Sequence, residues 1–137
     1  MIKPQEIRIG ILLDVDGNII KVGKIDENSI SWNIAKDTAK FKIWNPFLPI
    51  SDKRINPIPL TEEILLEFGF YFEDGFYCLR INNTAFMTII LLGSYANYEL
   101  SNFRQKIVFS RGEFSGVHQL QNLYFDLKNE ELTFKKD

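Results

Sequence analysis

The chain has little of several things that chemistry usually requires. It contains one cysteine and one histidine in 137 residues. A single cysteine excludes an intramolecular disulfide framework and a thiolate zinc cluster. With His118 as the sole imidazole, a multi-histidine metal site within one chain is excluded as well. A serine–histidine or cysteine–histidine nucleophile would have to use His118. A charge excess of one sign is also missing: 16 Lys+Arg stand against 18 Asp+Glu, for a formal net charge of −2. A dedicated DNA-binding domain draws most of its affinity from phosphate neutralisation and carries a strong basic excess. No such excess exists here. Long apolar runs are absent too. The longest, Ile89 to Leu92 with its flanks, falls far short of the roughly 20 residues of a membrane helix. The opening MIKPQEIRIG has no apolar core ahead of a small-residue cleavage site, so no signal peptide is read. A cytosolic protein is expected.

What the chain does have is apolar and aromatic material. Hydrophobic residues make up 45% and include 12 Phe, enough to bury a core in one domain or in two small ones sharing it. Residues 6–13 read as a strand. Asp16-Gly17 separates them from Asn18–Ile25, and a DG pair between β-branched runs marks a hairpin because Gly accepts positive φ without a steric penalty. Residues 29–34 and 39–44 add two strand candidates. The first 45 residues thus predict an antiparallel β-meander, a small SH3-like half-barrel. Residues 46–59 hold Pro46, Pro49, Pro57 and Pro59 and read as a linker along the surface, tied down in part by Phe47, Leu48 and Ile50.

Thr61 to Gly69 carries a full set of helix signals. Thr61 can cap the N-terminus, Glu62 and Glu63 favour the positive end of the dipole, Leu60 and Leu65 form a staple, and Gly69 sits at the C′ position. Two strands flanking Glu73-Asp74-Gly75 follow, then a turn at Asn82–Thr84, an apolar strand over 85–92, and strand candidates over 95–100 and 106–110. Ser115 or Gly116 opens a second helix, with Val117, Leu120, Leu123, Tyr124 and Leu127 at helical spacing. A short extended piece, 131–135, closes the chain. The expected class is α+β: the meander, a helix, a four-stranded antiparallel sheet and a C-terminal amphipathic helix. The expected division is a β-rich subdomain with its Pro-rich linker over 1–60 and an α+β subdomain over 61–137, forming one compact unit.

Few segments look chemical. Asp14-Val15-Asp16-Gly17 after an apolar strand resembles the first motif of haloacid-dehalogenase-type phosphatases. There the first Asp is the nucleophile and the second the general acid beside magnesium. That fold needs a helix soon after the motif; here a strand-like run follows, and Asn18 stands where the family has Thr. The same residues fail as a calcium loop, because Ile19 and Ile25 occupy the positions that need Gly and a bidentate Glu. His118 lacks a titratable partner at recognisable spacing, and a structural or surface role is the simpler reading. Cys78 reads as a small buried apolar residue. Residues 102–111 carry Arg104, Lys106 and Arg111 with Phe103 and Phe109 interleaved and no acid. Such a segment can hold single-stranded nucleic acid by charge and stacking. The simpler reading is an edge strand guarded by charge against aggregation. No catalytic residue, metal ligand or cofactor is expected.

Two stretches carry a resemblance: Ile58-Pro-Leu-Thr-Glu-Glu-Ile-Leu-Leu-Glu-Phe-Gly-Phe70 and Val117-His-Gln-Leu-Gln-Asn-Leu-Tyr-Phe-Asp-Leu-Lys-Asn-Glu-Glu-Leu132. Together with the opening Ile7-Arg-Ile-Gly, they resemble a family of small proteins from phages, prophages and mobile elements of Bacteroidetes. The resemblance implies an origin rather than a chemistry. A protein of this kind has been linked to inhibition of the type VI-B CRISPR RNA-guided RNA nuclease. The implied function is therefore an anti-CRISPR that binds a bacterial effector, with or without its guide RNA, in the host cytoplasm. No membrane partner and no strong nucleic-acid binding by the protein alone are implied. Aromatic and arginine residues are the usual interface anchors, which nominates Tyr95, Tyr98, Phe103, Arg104 and Arg111 as partner-binding. An RNA- or single-stranded-DNA-binding accessory module is the alternative, and a magnesium phosphatase built on Asp14 the third reading.

Overall fold

The computed structural model describes residues 2–36, 47–102, 104 and 107–134. The strand expected over 39–44 and the nominated Phe103 lie outside them. The architecture is α+β: a curled antiparallel half-barrel sheet, a second antiparallel sheet and two helices, the last of them C-terminal. The chain divides into two compact units. Unit 1 comprises Met1–Ile58 with Val117–Asn122, and unit 2 comprises Pro59–Gly116 with Leu123–Asp137.

Unit 1 is built on β1 (Leu12–Val15), β2 (Asn18–Ile25), β3 (Ser29–Lys36), β4 (Phe47–Pro49) and β5 (Ile55–Asn56), in the order β4-β3-β2-β1-β5. Asp16 (φ 51°) and Gly17 (φ 86°) form the tight turn between β1 and β2, and Val15 faces Asn18 across it. The Asp14 carboxylate accepts the Gly17 N–H at 2.8 Å, so these acids build a turn. Two expectations change. The strand read over 6–13 begins only at Leu12, because Pro4–Glu6 wind into a 3-10 turn and Gly10 takes φ 96°. The stretch read as a linker instead supplies both edge strands of the sheet, β4 beside β3 and β5 beside β1. Proline is tolerated there because an edge strand has one side free of ladder bonds, and Pro49 ends β4. The core gathers Ile11, Leu13, Val15, Ile20, Val22, Ile30, Leu48 and Ile55.

The first part of the C-terminal helix α2 (Val117–Lys128) belongs to unit 1, where Val117 and Leu120 are fully buried and polar side chains add hydrogen bonds. Gln121 is 1% exposed; its Oε1 accepts the Leu12 N–H at 2.8 Å and its Nε2 donates to the Gly10 carbonyl at 3.3 Å. Asn122 donates to the Glu6 carbonyl at 2.9 Å and accepts from Arg8 Nε at 2.7 Å. The Val117 N–H, unpaired within the helix, donates to the Ile58 carbonyl at 2.8 Å.

Unit 2 opens with α1 (Glu62–Glu67). Thr61 caps it by accepting the Ile64 N–H at 3.3 Å, and Gly69 (φ 100°) ends it in the left-handed region. The sheet then runs as a simple meander: β6 (Tyr71–Glu73), β7 (Phe76–Arg80), β8 (Ala85–Leu91), β9 (Ala96–Asn102) and β10 (Val108–Phe114). The hairpin expected around Glu73-Asp74-Gly75 forms, with Tyr71–Glu73 pairing fully with β7, and both later strand candidates, 95–100 and 106–110, also join the sheet, so it has five strands rather than four. Leu65, Phe68, Phe70, Tyr77, Met87, Ile89, Leu100, Phe114, Tyr124 and Leu132 are buried, and Phe68 stacks on Phe134 at 5.0 Å. Residues 131–134 follow α2 without joining a helix or a sheet.

Candidate interaction surface

Side chains alternate across a strand, so the pairing register assigns each residue of the second sheet to a face. Leu79, Met87 and Leu100 fall in one row, and Tyr77, Ile89 and Tyr98 in the next, on the largely buried face. The opposite face carries the rows Tyr71–Cys78–Thr88–Glu99–Arg111, Arg80–Phe86–Ser101–Val108 and Ile90–Asn97–Glu113. That second face is neither polar nor sealed. Tyr71 is 50% exposed and Phe76 38%, and Phe86 and Ile90 are half-buried.

An open groove crosses this face. Phe76, Cys78, Phe86, Thr88 and Ser101 line it, with Glu73 and Asp74 at the β6–β7 turn and Glu99 on β9. Among the described residues, the lining therefore holds three carboxylates and no cation. Burial pushes the Cys78 thiol up; the Thr88 hydroxyl opposes this, and Glu73 and Asp74 add to it. The group is a protonated thiol near neutral pH and no nucleophile. Burial, with Cys78 and Glu73 nearby, likewise raises the Tyr71 phenol. Glu99 and Arg111 form an exposed ion pair at 3.6 Å, a type that contributes little to stability.

The structure separates the nominated residues. Tyr95 is exposed at the β8–β9 turn, where its carbonyl accepts the Leu92 N–H. Arg104 is exposed beyond the other end of β9, its N–H donating to Asn102 Oδ1 at 2.9 Å. Tyr98 faces away from Arg111. Its ring stacks on Phe114 at 4.4 Å and lies over Gly112, where a Cβ would come within 2.6 Å of it. Tyr98 is thus engaged in packing. Arg111 is the nominated residue that lies on the open face, beside Glu99 and Glu113. Sequence reasoning missed Tyr71, Phe76, Phe86 and the acids around them. The available signal was that β7 and β8 are apolar at both odd and even positions, so one face of an antiparallel sheet must either be covered or stay open.

His118 is 2% exposed in unit 1. Its Nε2 lies 3.1 Å from Glu6 Oε2, which also accepts from Gln119 Nε2 at 3.1 Å. Burial lowers the imidazole pKa, and the Glu6 carboxylate offsets this in part. A carboxylate only accepts, so the proton sits on Nε2 and the buried Nδ1 is left without a partner. This group is structural, linking the 3-10 turn to α2. Among the described residues, no group of three or more His, Cys, Asp or Glu is placed to hold a metal ion, and no helix is long and apolar enough to cross a membrane. Comparison with protein-family models, curated proteins and solved structures found no match.

Proposed function

We propose that this chain is a phage or mobile-element protein that binds and inhibits a bacterial defence complex without catalysing a reaction. The first target to test is the type VI-B RNA-guided RNA nuclease in the host cytoplasm. The reading rests on the sequence resemblance, and the observation that supports it best is the open face of the second sheet. Exposed aromatic side chains there surround a groove, with Glu73, Asp74 and Glu99 at its margin. Desolvated aromatics are strong interface anchors, and carboxylates at the rim suit a basic surface such as the one an RNA-guided nuclease presents to its guide. The decisive experiment is capture of the purified nuclease, with and without guide RNA, by the immobilised protein. Retention in at least one state is expected, and Phe76→Glu should reduce it at unchanged folding. Absence of retention in both states rejects the reading.

A second reading, an RNA- or single-stranded-DNA-binding module, draws support from the exposure of Arg104 and Arg111. It predicts salt-sensitive binding of an oligonucleotide by the protein alone, lost in Arg104→Glu and Arg111→Glu. The placement of Arg111 next to Glu99 and Glu113 opposes it, because the acids cancel the local charge that would draw a phosphate.

A further inference from the structure

The strand β10 stands at one edge of the second sheet, with β9 on one side and no strand on the other among the described residues. The phase of its backbone follows from the hairpins. The Leu92 N–H donates to the Tyr95 carbonyl at 2.9 Å, closing the β8–β9 turn on a hydrogen-bonded pair. Peptide groups alternate in direction along an antiparallel strand. Within β9, Asn97, Glu99 and Ser101 therefore address β8, while Ala96, Tyr98, Leu100 and Asn102 address β10. The Asn102 N–H donating to the Ile107 carbonyl at 3.0 Å agrees with this. Gly112 lies opposite Tyr98 and Phe114 opposite Ala96, so these residues direct their peptide groups to β9. Arg111 and Glu113 direct theirs outward, onto the open edge.

Such an edge is a template for another strand, and natural edges are commonly blunted by proline, charge, a β-bulge or a covering loop; β10 has a bulge between Val108 and Ser110, and Arg111–Glu113 lie beyond it in regular register. The outer edge at Arg111–Glu113 carries neither proline nor lysine, and both side chains are exposed. Its sequence is also self-complementary. If a second copy of β10 lies antiparallel with the two-fold axis at Gly112, Arg111 falls opposite Glu113 of the second copy, and Glu113 opposite its Arg111. These are the residues whose peptide groups point outward, so each opposite-charge pair is also a hydrogen-bonded pair. Gly112 meets Gly112 at the axis, a non-hydrogen-bonded position where the two strands come closest. There it lacks a Cβ, and the Tyr98 ring already covers it on the buried face. Sliding the strands by two residues in either direction would set Arg111 against Arg111, or Glu113 against Glu113.

We infer that β10 is a homodimerisation edge, joining two copies of this chain into one continuous ten-stranded antiparallel sheet about a two-fold axis at Gly112. The interface uses the backbone edge of β10 rather than the groove, although Arg111 also pairs with Glu99 at the groove margin, and it does not depend on the identity of any target.

Sedimentation of the full chain over a concentration series tests the register directly. A reversible monomer–dimer equilibrium is expected. Arg111→Glu and Glu113→Arg each convert two attractive cross-strand pairs into two repulsive ones and should weaken the dimer on the order of tenfold. The double reversal Arg111→Glu with Glu113→Arg re-forms both pairs in the opposite sense and should restore the dimer. Circular dichroism confirms that these exposed substitutions leave the fold intact. A chain that is monomeric at every concentration overturns the inference, and so does a dimer indifferent to the single reversals or not restored by the double one. If the chain stays monomeric while Arg111→Glu abolishes capture of the nuclease, the homodimer is rejected while the docking reading stands, because the Arg111 side chain also lies on the open face beside Glu99.

Discussion

Among the described residues, unit 1 leaves Ile9 and Ile25 as its exposed large apolar side chains, whereas unit 2 leaves Leu66, Tyr71, Phe72, Phe76, Leu92, Tyr95, Ile107, Phe109 and Leu127. Both units are five-stranded antiparallel sheets. They differ in where polar groups are placed. In unit 1, polar groups enter the interior: Gln121 and His118 are almost fully buried and bond to Leu12, Gly10 and Glu6. In unit 2, apolar groups come to the surface, Tyr71 and Phe76 on the second face of the sheet and others on the helices, turns and strand ends. Buried hydrogen bonds specify one arrangement, because any other leaves groups unpaired at a cost of about 1–3 kcal/mol each. Exposed aromatics specify nothing within the chain and remain available to a partner.

Four measurements would break or sharpen this contrast. The largest effect belongs to the sealed core of unit 1, where Leu13 is fully buried. Leu13→Ala should lower the unfolding free energy by about 2–5 kcal/mol in urea titration. A loss under about 0.5 kcal/mol would show that this core is not tightly packed. Next comes the buried amide. Gln121→Leu keeps much of the volume but strands the Leu12 N–H and the Gly10 carbonyl, so about 1–3 kcal/mol should be lost. A neutral result would mean that water or another side chain takes over both bonds.

The third measurement is a pH series. The folded imidazole of His118 has a pKa below its usual 6.5, so the unfolded chain binds this proton first as pH falls. Its contribution is intact above 6.5 and is lost on going below, by at most about 1.4 kcal/mol per pH unit. Glu6 acts in a lower window. Burial raises its carboxyl, but bonds from the Gln119 amide, the charge of His118 and the Lys3 N–H together hold it below 4.5. Its contribution is present above 4.5 and lost as pH falls through the folded value. Melting temperatures should thus decline as pH falls below 6.5, and His118→Gln should flatten the part of that decline that lies above the Glu6 window. An unchanged profile in that variant would remove His118 from the account. The smallest effect on stability is expected at Phe76. Phe76→Ser should stay within about 0.5 kcal/mol of the parent while weakening capture of the target; a large stability loss would make the open face part of the fold rather than a surface for docking.

Much of the fold was legible because its signals are local. Asp16-Gly17 and Asp74-Gly75 adopt the left-handed turn geometry that such pairs favour, and Thr61 and Gly69 bound α1 as their chemistry predicts. The β4 and β5 edge strands were not legible, because a short strand beside prolines is defined by its neighbour in space. The partner-binding set failed to gather for a related reason. Tyr95 and Arg104 are close in sequence, yet the full length of β9 lies between them, and Tyr98 and Arg111 project from opposite faces.

The sequence by itself determined what chemistry is out of reach and where the turns and helix ends fall. Single residues such as one cysteine, one histidine or a glycine at positive φ act through their own covalent structure. Only the tertiary structure decided which faces are covered. In α2 the apolar periodicity marked Val117, Leu120, Leu123, Tyr124 and Leu127, of which Val117, Leu120 and Tyr124 are buried; the fold adds His118 and Gln121, and Gln121 is buried because unpaired peptide groups at Gly10 and Leu12 needed partners there. In the second sheet, Phe76 and Phe86 were indistinguishable from core residues until the register put them on the face that carries the open groove.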